Sequence, residues 1–120
     1  MVGDMTLTGV VADHIAAVNS FSVDRIMATF ADDAMVNDAR REFWGAASIR
    51  AWVEKEVVGD QITMDVTEVR QHHGETVVRA RYDGLYDKTN LPDELILTNY
   101  FTVENGKIVS LKVIRVESSD

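Results

Sequence analysis

Three polar residues stand where the hydrophobic pattern asks for apolar ones: His14, Asp38 and Asn99. Each is in phase with a row of core-facing positions. An unpaired buried amide or hydroxyl costs on the order of 1–3 kcal/mol, and a bare buried carboxylate costs far more. An imidazole, a carboxylate and an amide set into apolar rows are therefore satisfied against neighbouring groups or are lining a pocket. A histidine can donate a hydrogen bond or act as acid or base near neutral pH. Asparagine is a neutral donor at any pH. Each residue also has a plainer reading. Asp38 in Asn37-Asp38-Ala39 suits a turn. A lone histidine on a helix face can be a satisfied core residue. Asn99 can bond a neighbouring side chain or a buried water.

The elements that must position these residues follow from the periodicity. Leu7, Val10, Val11, His14, Ile15 and Val18 share one helix face, and Asn19-Ser20 ends it. Ser22 is a predicted N-cap for a second helix with Asp24 in its first turn and an apolar stripe of Val23, Ile26, Met27 and Phe30. Asp32-Asp33 breaks that pattern. Ala34 to Asp38 is a short predicted strand, a turn follows at Ala39, and Arg40 to Trp44 returns. After Gly45 a third helix turns Ile49, Trp52, Val53 and Val57 inward.

The second half alternates. Gln61 to His72 places Ile62, Met64 and Val66 on one face and then slips phase to Val69, which predicts a bulge. Thr76 to Asp87 is a long strand in which Gly84 marks a bend or close approach. Glu94 to Glu104 carries Leu95, Leu97, Asn99, Phe101 and Val103 on one face. Asn105-Gly106 is a hairpin signal, and Ile108 to Val116 closes the sheet. Helices grouped before a meander imply an α+β fold with helices on one face of a curved sheet. Long strands with bulges and glycines curl into a cone, and the mouth of a half-closed cone suits a ligand.

The bulk numbers narrow the class. With 120 residues, 46% hydrophobic and 27% charged, the chain fits one globular domain over residues 1–120. A formal charge of −8 and scattered basic residues argue against nucleic acid or an anionic membrane as partner. There is no cysteine, the start MVGDMTLTGVV has no signal-peptide pattern, and no stretch approaches a membrane span, so a cytoplasmic location is expected. His72-His73 would point to opposite faces of a strand, and no two-His-plus-carboxylate spacing exists, so no metal is expected. Val109, Leu111 and Val113 alternate with Ile108, Ile114 and Val116 on the last strand. Apolar residues on both faces predict a homodimer through the open sheet face.

The sequence resembles the nuclear transport factor 2-like superfamily, in its SnoaL-like and ketosteroid-isomerase-like branch. The residues that carry the resemblance are His14 to Asn19, Phe30 to Asp38, Glu42 to Gly45, Ser48 to Trp52 and the closing hairpin Asn105 to Ser110. The resemblance implies a cone-shaped curved antiparallel β-sheet with three N-terminal-half helices packed on its concave face. In ketosteroid isomerases an aspartate after the first short strand is the general base, and Asp38 occupies that place. His14 stands at the position of an oxyanion-stabilising tyrosine, and Asn99 at that of a protonated aspartate. Both departures keep a hydrogen-bonding side chain but differ from the isomerase pattern. Epoxide hydrolases of this fold use paired carboxylates with an arginine; Arg79 or Arg81 is the candidate cation here, with no second carboxylate placed.

The implied function is cofactor-independent isomerase, cyclase or lyase chemistry on a small, apolar, carbonyl-bearing ligand. Asp38 would remove a proton next to the carbonyl, and His14 and Asn99 would hold the enolate oxygen. Trp44, Trp52, Tyr82 and Phe101 would wall the cavity. Two alternatives stand beside this: non-catalytic binding of a hydrophobic small molecule, and a dimeric interaction module with a vestigial pocket. A deep cavity holding both Asp38 and Asn99 would favour the enzyme. A cavity filled by Trp and Tyr side chains would favour the interaction module.

Overall fold

A computed structural model describes Leu7 and residues 9–115. Helix α1 runs Gly9–Asn19 and buries Val11, His14, Ile15, Ala17 and Val18, the predicted face. Phe21 (φ 58°) turns the chain. Helix α2 is a short Val23–Met27. Ser22 caps it, its hydroxyl accepting from the Arg25 N–H at 3.2 Å. Phe30 does not extend that helix; it opens strand β1, Phe30–Asp38. Strand β2 is Arg41–Trp44. Helix α3, Gly45–Trp52, continues as a π-helical segment, Val53–Val58. Strands β3 (Thr63–His72), β4 (Glu75–Asp83), β5 (Leu95–Glu104) and β6 (Lys107–Arg115) complete the sheet. Val116, assigned to the last strand from the sequence, lies outside the described residues.

The six strands form one curved, unclosed sheet in the order β2-β1-β6-β5-β4-β3. All neighbours are antiparallel except β1 and β6, which are parallel. The four long strands are antiparallel as expected, and the β1–β6 pair adds one parallel neighbour. β1 and β6 are joined by no hairpin, so nothing local imposes an antiparallel sense on them. The phase slip read from the sequence at Val69 has a structural counterpart, and β1 carries a second register shift. The β3–β4 register shifts between Val66 and Glu68, so Met64 and Val69 both reach the interior. The β1–β6 register jumps between Phe30 and Met35, and Asp32 and Asp33 are exposed within that jump.

A third register shift lies between β5 and β6. Thr102 pairs with Ser110 but Val103 pairs with Ile108, which leaves Val109 as an extra residue on β6. Ile108 therefore faces inward with Leu111 and Val113. The alternation that made the last strand look apolar on both faces is partly this bulge.

The helices cover one sheet face, where Ile15, Val18, Ile26, Ile49 and Val53 pack with Val36, Val78, Ala80, Phe101 and Leu111 in one buried cluster. Beyond β4, Gly84 lets two segments approach closely. A Cβ there would lie 2.8 Å from the Asp60 carbonyl oxygen and 2.9 Å from Ile62. The strand itself stops at Asp83, four residues earlier than the pattern suggested.

Candidate functional site

Between the helices and the sheet lies a cavity of about 180 Å³ whose wall includes His14, Asp38 and Asn99. Trp52, Glu56, Asp60, Tyr82 and Tyr86 also line it; the remaining lining is aliphatic, including Val18, Met64, Leu97 and Leu111. A dry apolar cavity of roughly 150 Å³ holds benzene, so the space suits a ring-sized ligand. Asn99 and His14 form its inner wall, 1% and 4% exposed. Asp38 and Glu56 stand at its mouth, with side chains 23% and 31% exposed.

Asp38 is the last residue of β1 and pairs with Arg41, the first residue of β2, across a two-residue turn. That turn is left-handed at both positions, Ala39 (φ 53°) and Arg40 (φ 74°), the geometry that matches strand twist in tight hairpins. Asp38 Oδ2 accepts from Arg41 Nη2 at 2.8 Å and from Trp52 Nε1 at 3.1 Å. Among the described residues no side chain bonds Oδ1. Arg41 also grips Glu56 with both terminal nitrogens, at 2.9 and 2.7 Å. This hydrogen bonding raises the Arg41 pKa and, outweighing partial burial, lowers that of Glu56.

Alternation along β2 explains which aromatic serves the site. Arg41 and Phe43 share one face; the Arg41 guanidinium lies 5.6 Å from the Phe43 ring centre, and Phe43 stacks on Trp52 at 5.8 Å. Trp44 faces the other way, is 63% exposed and donates to Glu42 at 3.0 Å. Its expected place in the cavity wall is thus corrected, and Phe43 was the residue to choose as support for the site. Glu56 was not singled out in the sequence; it stands four residues after Trp52, and Trp52, Glu56 and Asp60 reach the same cavity. The expected cation is also corrected: Arg79 and Arg81 pair with Glu68, Asp65 and Glu94 away from the cavity, and Arg41 is the arginine beside Asp38.

Asn99 sits mid-β5 directly across from Val78. Its Nδ2 donates to the Val78 carbonyl at 3.2 Å, and its Oδ1 accepts from the Tyr82 hydroxyl at 2.7 Å. The two partners fix the amide orientation, because only the NH₂ can serve a carbonyl. One Nδ2 proton remains for the cavity. Burial raises the Tyr82 pKa, and the Asp38 charge adds to this against the opposing Asn99 bond. Tyr82 therefore stays a neutral hydroxyl.

His14 Nδ1 lies 2.9 Å from Thr29 Oγ1, and the Thr29 hydroxyl donates to the Ile26 carbonyl at 2.6 Å. Burial lowers the His14 pKa to about 4, so the ring is neutral at pH 7. The expectation of an acid or base near neutral pH is therefore corrected. The ring is held edge-on by Phe30 and Phe101, at 5.3 and 5.4 Å. Phe101, expected in the cavity wall, is fully buried behind His14 and supports it.

The fold and site together define an open α+β cone that holds a small, mainly apolar cavity with a carboxylate at its mouth. The chain belongs to the SnoaL-like domain family, which it matches over residues 11–111. No curated protein matches it in sequence. Among solved structures it is similar to a candidate polyketide cyclase from Sinorhizobium meliloti, at 24% identity and a TM-score of 0.81, over 93% of this chain and 99% of that one. A hypothetical protein of ketosteroid isomerase-like fold from Catenulispora acidiphila, solved with trimethylamine, is 16% identical with a TM-score of 0.75 over 90% of this chain and 85% of that one. A candidate ketosteroid isomerase from Kribbella flavida is 13% identical with a TM-score of 0.73 over 92% and 78%. These likenesses establish the nuclear transport factor 2-like fold.

Proposed function

We propose that the chain is a cofactor-independent enzyme that removes a proton from the carbon next to a carbonyl of a small, largely apolar substrate. The observation that carries this reading is the state of Asp38. One carboxylate oxygen is held by Arg41 and Trp52, and the other has no donor among the described residues and stands at the mouth of an apolar cavity. Holding one oxygen orients the carboxylate and leaves the second to accept a proton. The electrons of the broken C–H bond pass into the carbon skeleton, and the carbonyl becomes an enolate. The spare Asn99 N–H, backed by the neutral Tyr82 hydroxyl, is the donor for that oxygen. Returning the proton to another carbon isomerises the substrate; attack of the enolate carbon on a second carbonyl closes a ring. A positioned base contributes ~10²–10⁴-fold and an oxyanion donor ~10²–10³-fold. Membership of the SnoaL-like family and similarity to candidate cyclases and isomerases support chemistry of this kind.

A second reading rests on the Arg41 bridge. Two carboxylates joined by an arginine resemble the water-activating arrangement of epoxide hydrolases of this fold. Ring-sized substrates separate the two. A small β,γ-unsaturated cyclic ketone should be conjugated, seen as a rise in ultraviolet absorbance, and Asp38→Asn should lower that rate ~10²–10⁴-fold at unchanged melting temperature. Diol formation from a ring epoxide without ketone conjugation would favour the hydrolytic reading. Retention of a ligand with neither reaction would favour a binding protein.

A further inference from the structure

We propose that the inner end of the cavity receives a hydroxyl group of the ligand, with the O–H donating to His14 Nε2. The proposal rests on the substrate-cavity reading above and specifies what the substrate must carry. Its basis is the proton count around His14. Thr29 has one hydroxyl proton, and its oxygen lies 2.6 Å from the Ile26 carbonyl oxygen. Two oxygens at that separation need a proton between them, so the threonine proton is committed there. Thr29 Oγ1 can then only accept from His14, and at 2.9 Å the proton must be on His14 Nδ1. Burial keeps the ring neutral. Nε2 therefore carries a lone pair and no proton, which corrects the expectation that His14 donates to an enolate oxygen.

That lone pair faces the cavity. No described side chain bonds Nε2, yet among the described residues no buried side-chain polar atom is left without a partner. Nε2 must then be reached from the open space that His14 lines. A carbonyl or ether oxygen placed there would set lone pair against lone pair. A hydroxyl satisfies Nε2 by donating to it, and leaves the spare Asn99 N–H on the same inner wall for the carbonyl oxygen. The favoured substrate class is thus a ring-sized carbonyl compound that also carries a hydroxyl, phenolic or enolic.

The test uses the intact wild-type protein with 2-naphthol and 2-methoxynaphthalene, which differ in that one proton. Calorimetric titration should show 2-naphthol binding at least about tenfold tighter, as sites built to pair a hydroxyl reject analogues without one. Nitrogen-15 spectra of the free protein should show Nε2 as the unprotonated ring nitrogen of His14, with its resonance moved by 2-naphthol and not by the ether. His14→Phe should remove the naphthol preference. Equal affinities in the wild type, or a proton on Nε2, would overturn the proposal. Asp38→Asn separates the two ideas: it should abolish ketone turnover and keep the naphthol preference. An active Asp38→Asn variant that keeps the preference would sink only the base.

Discussion

At the residue scale, the three polar residues in apolar rows differ in what holds them, and each therefore fails differently. His14 is neutral in the folded chain with its pKa near 4, against 6.5 when unfolded. Between those values the unfolded chain binds the extra proton. Stability is complete above pH 6.5, falls as pH drops towards 4, and levels off below, a loss of about 3 kcal/mol. His14→Phe should flatten that part of the profile, read as denaturation midpoints at pH 7 and pH 4; an unchanged slope would assign the acid sensitivity elsewhere. Asn99→Leu leaves the Val78 carbonyl and Tyr82 hydroxyl without their partner, so a stability loss of ~1–3 kcal/mol is expected in thermal melts. The positions of all three residues were legible because a polar group in an apolar row breaks the pattern. Their partners were not, since Thr29, Tyr82 and Trp52 meet them only through tertiary packing. The outward direction of Trp44 follows from strand alternation, which sets it opposite Arg41 and Phe43.

At the element scale, the β1–β2 hairpin and the segment after α3 build the cavity mouth. The hairpin places Ala39 and Arg40 at φ of 53° and 74°, where a side chain costs about 1 kcal/mol relative to glycine. Arg40→Gly should raise stability by up to ~1 kcal/mol in urea titrations and leave the Asp38–Arg41 pairing intact; a loss would mean that the Arg40 side chain holds the turn. The Asp38–Arg41 pair was readable in principle, since a two-residue turn sets the flanking residues opposite each other. The π-helical segment was not, because Ile49, Trp52, Val53 and Val57 fit an ordinary helix equally well. Bulges were legible where an apolar residue jumped phase, as at Val69. They were hidden where both phases were apolar, as around Val109.

At the scale of the whole molecule, elements far apart in sequence converge on one cavity, and a mixed sheet with one parallel pair makes that possible. The outer sheet face carries the cross-strand rows Arg79–Thr98–Ile114 and Val77–Tyr100–Lys112. It is more polar than the last strand's sequence implied, because Ile108 turns inward. A homodimer through this face is still the proposed assembly, with Ile114, 41% exposed, at its centre. Sedimentation at micromolar concentration should give a dimer that Ile114→Glu converts to monomer; a wild-type monomer would contradict it. Among the described residues no helix is long and apolar enough to cross a membrane. The central claim is that Asp38 is a base acting inside the cavity, and proton exchange tests it most directly because it needs no completed reaction. In deuterium oxide, proton NMR of a ring-sized hydroxy-ketone should show deuterium entering at the carbon next to the carbonyl. The wild-type protein should accelerate this over buffer, and Asp38→Asn should slow it by ~10²–10⁴-fold. Exchange at the buffer rate with the wild type, or at the wild-type rate with Asp38→Asn, would contradict the account.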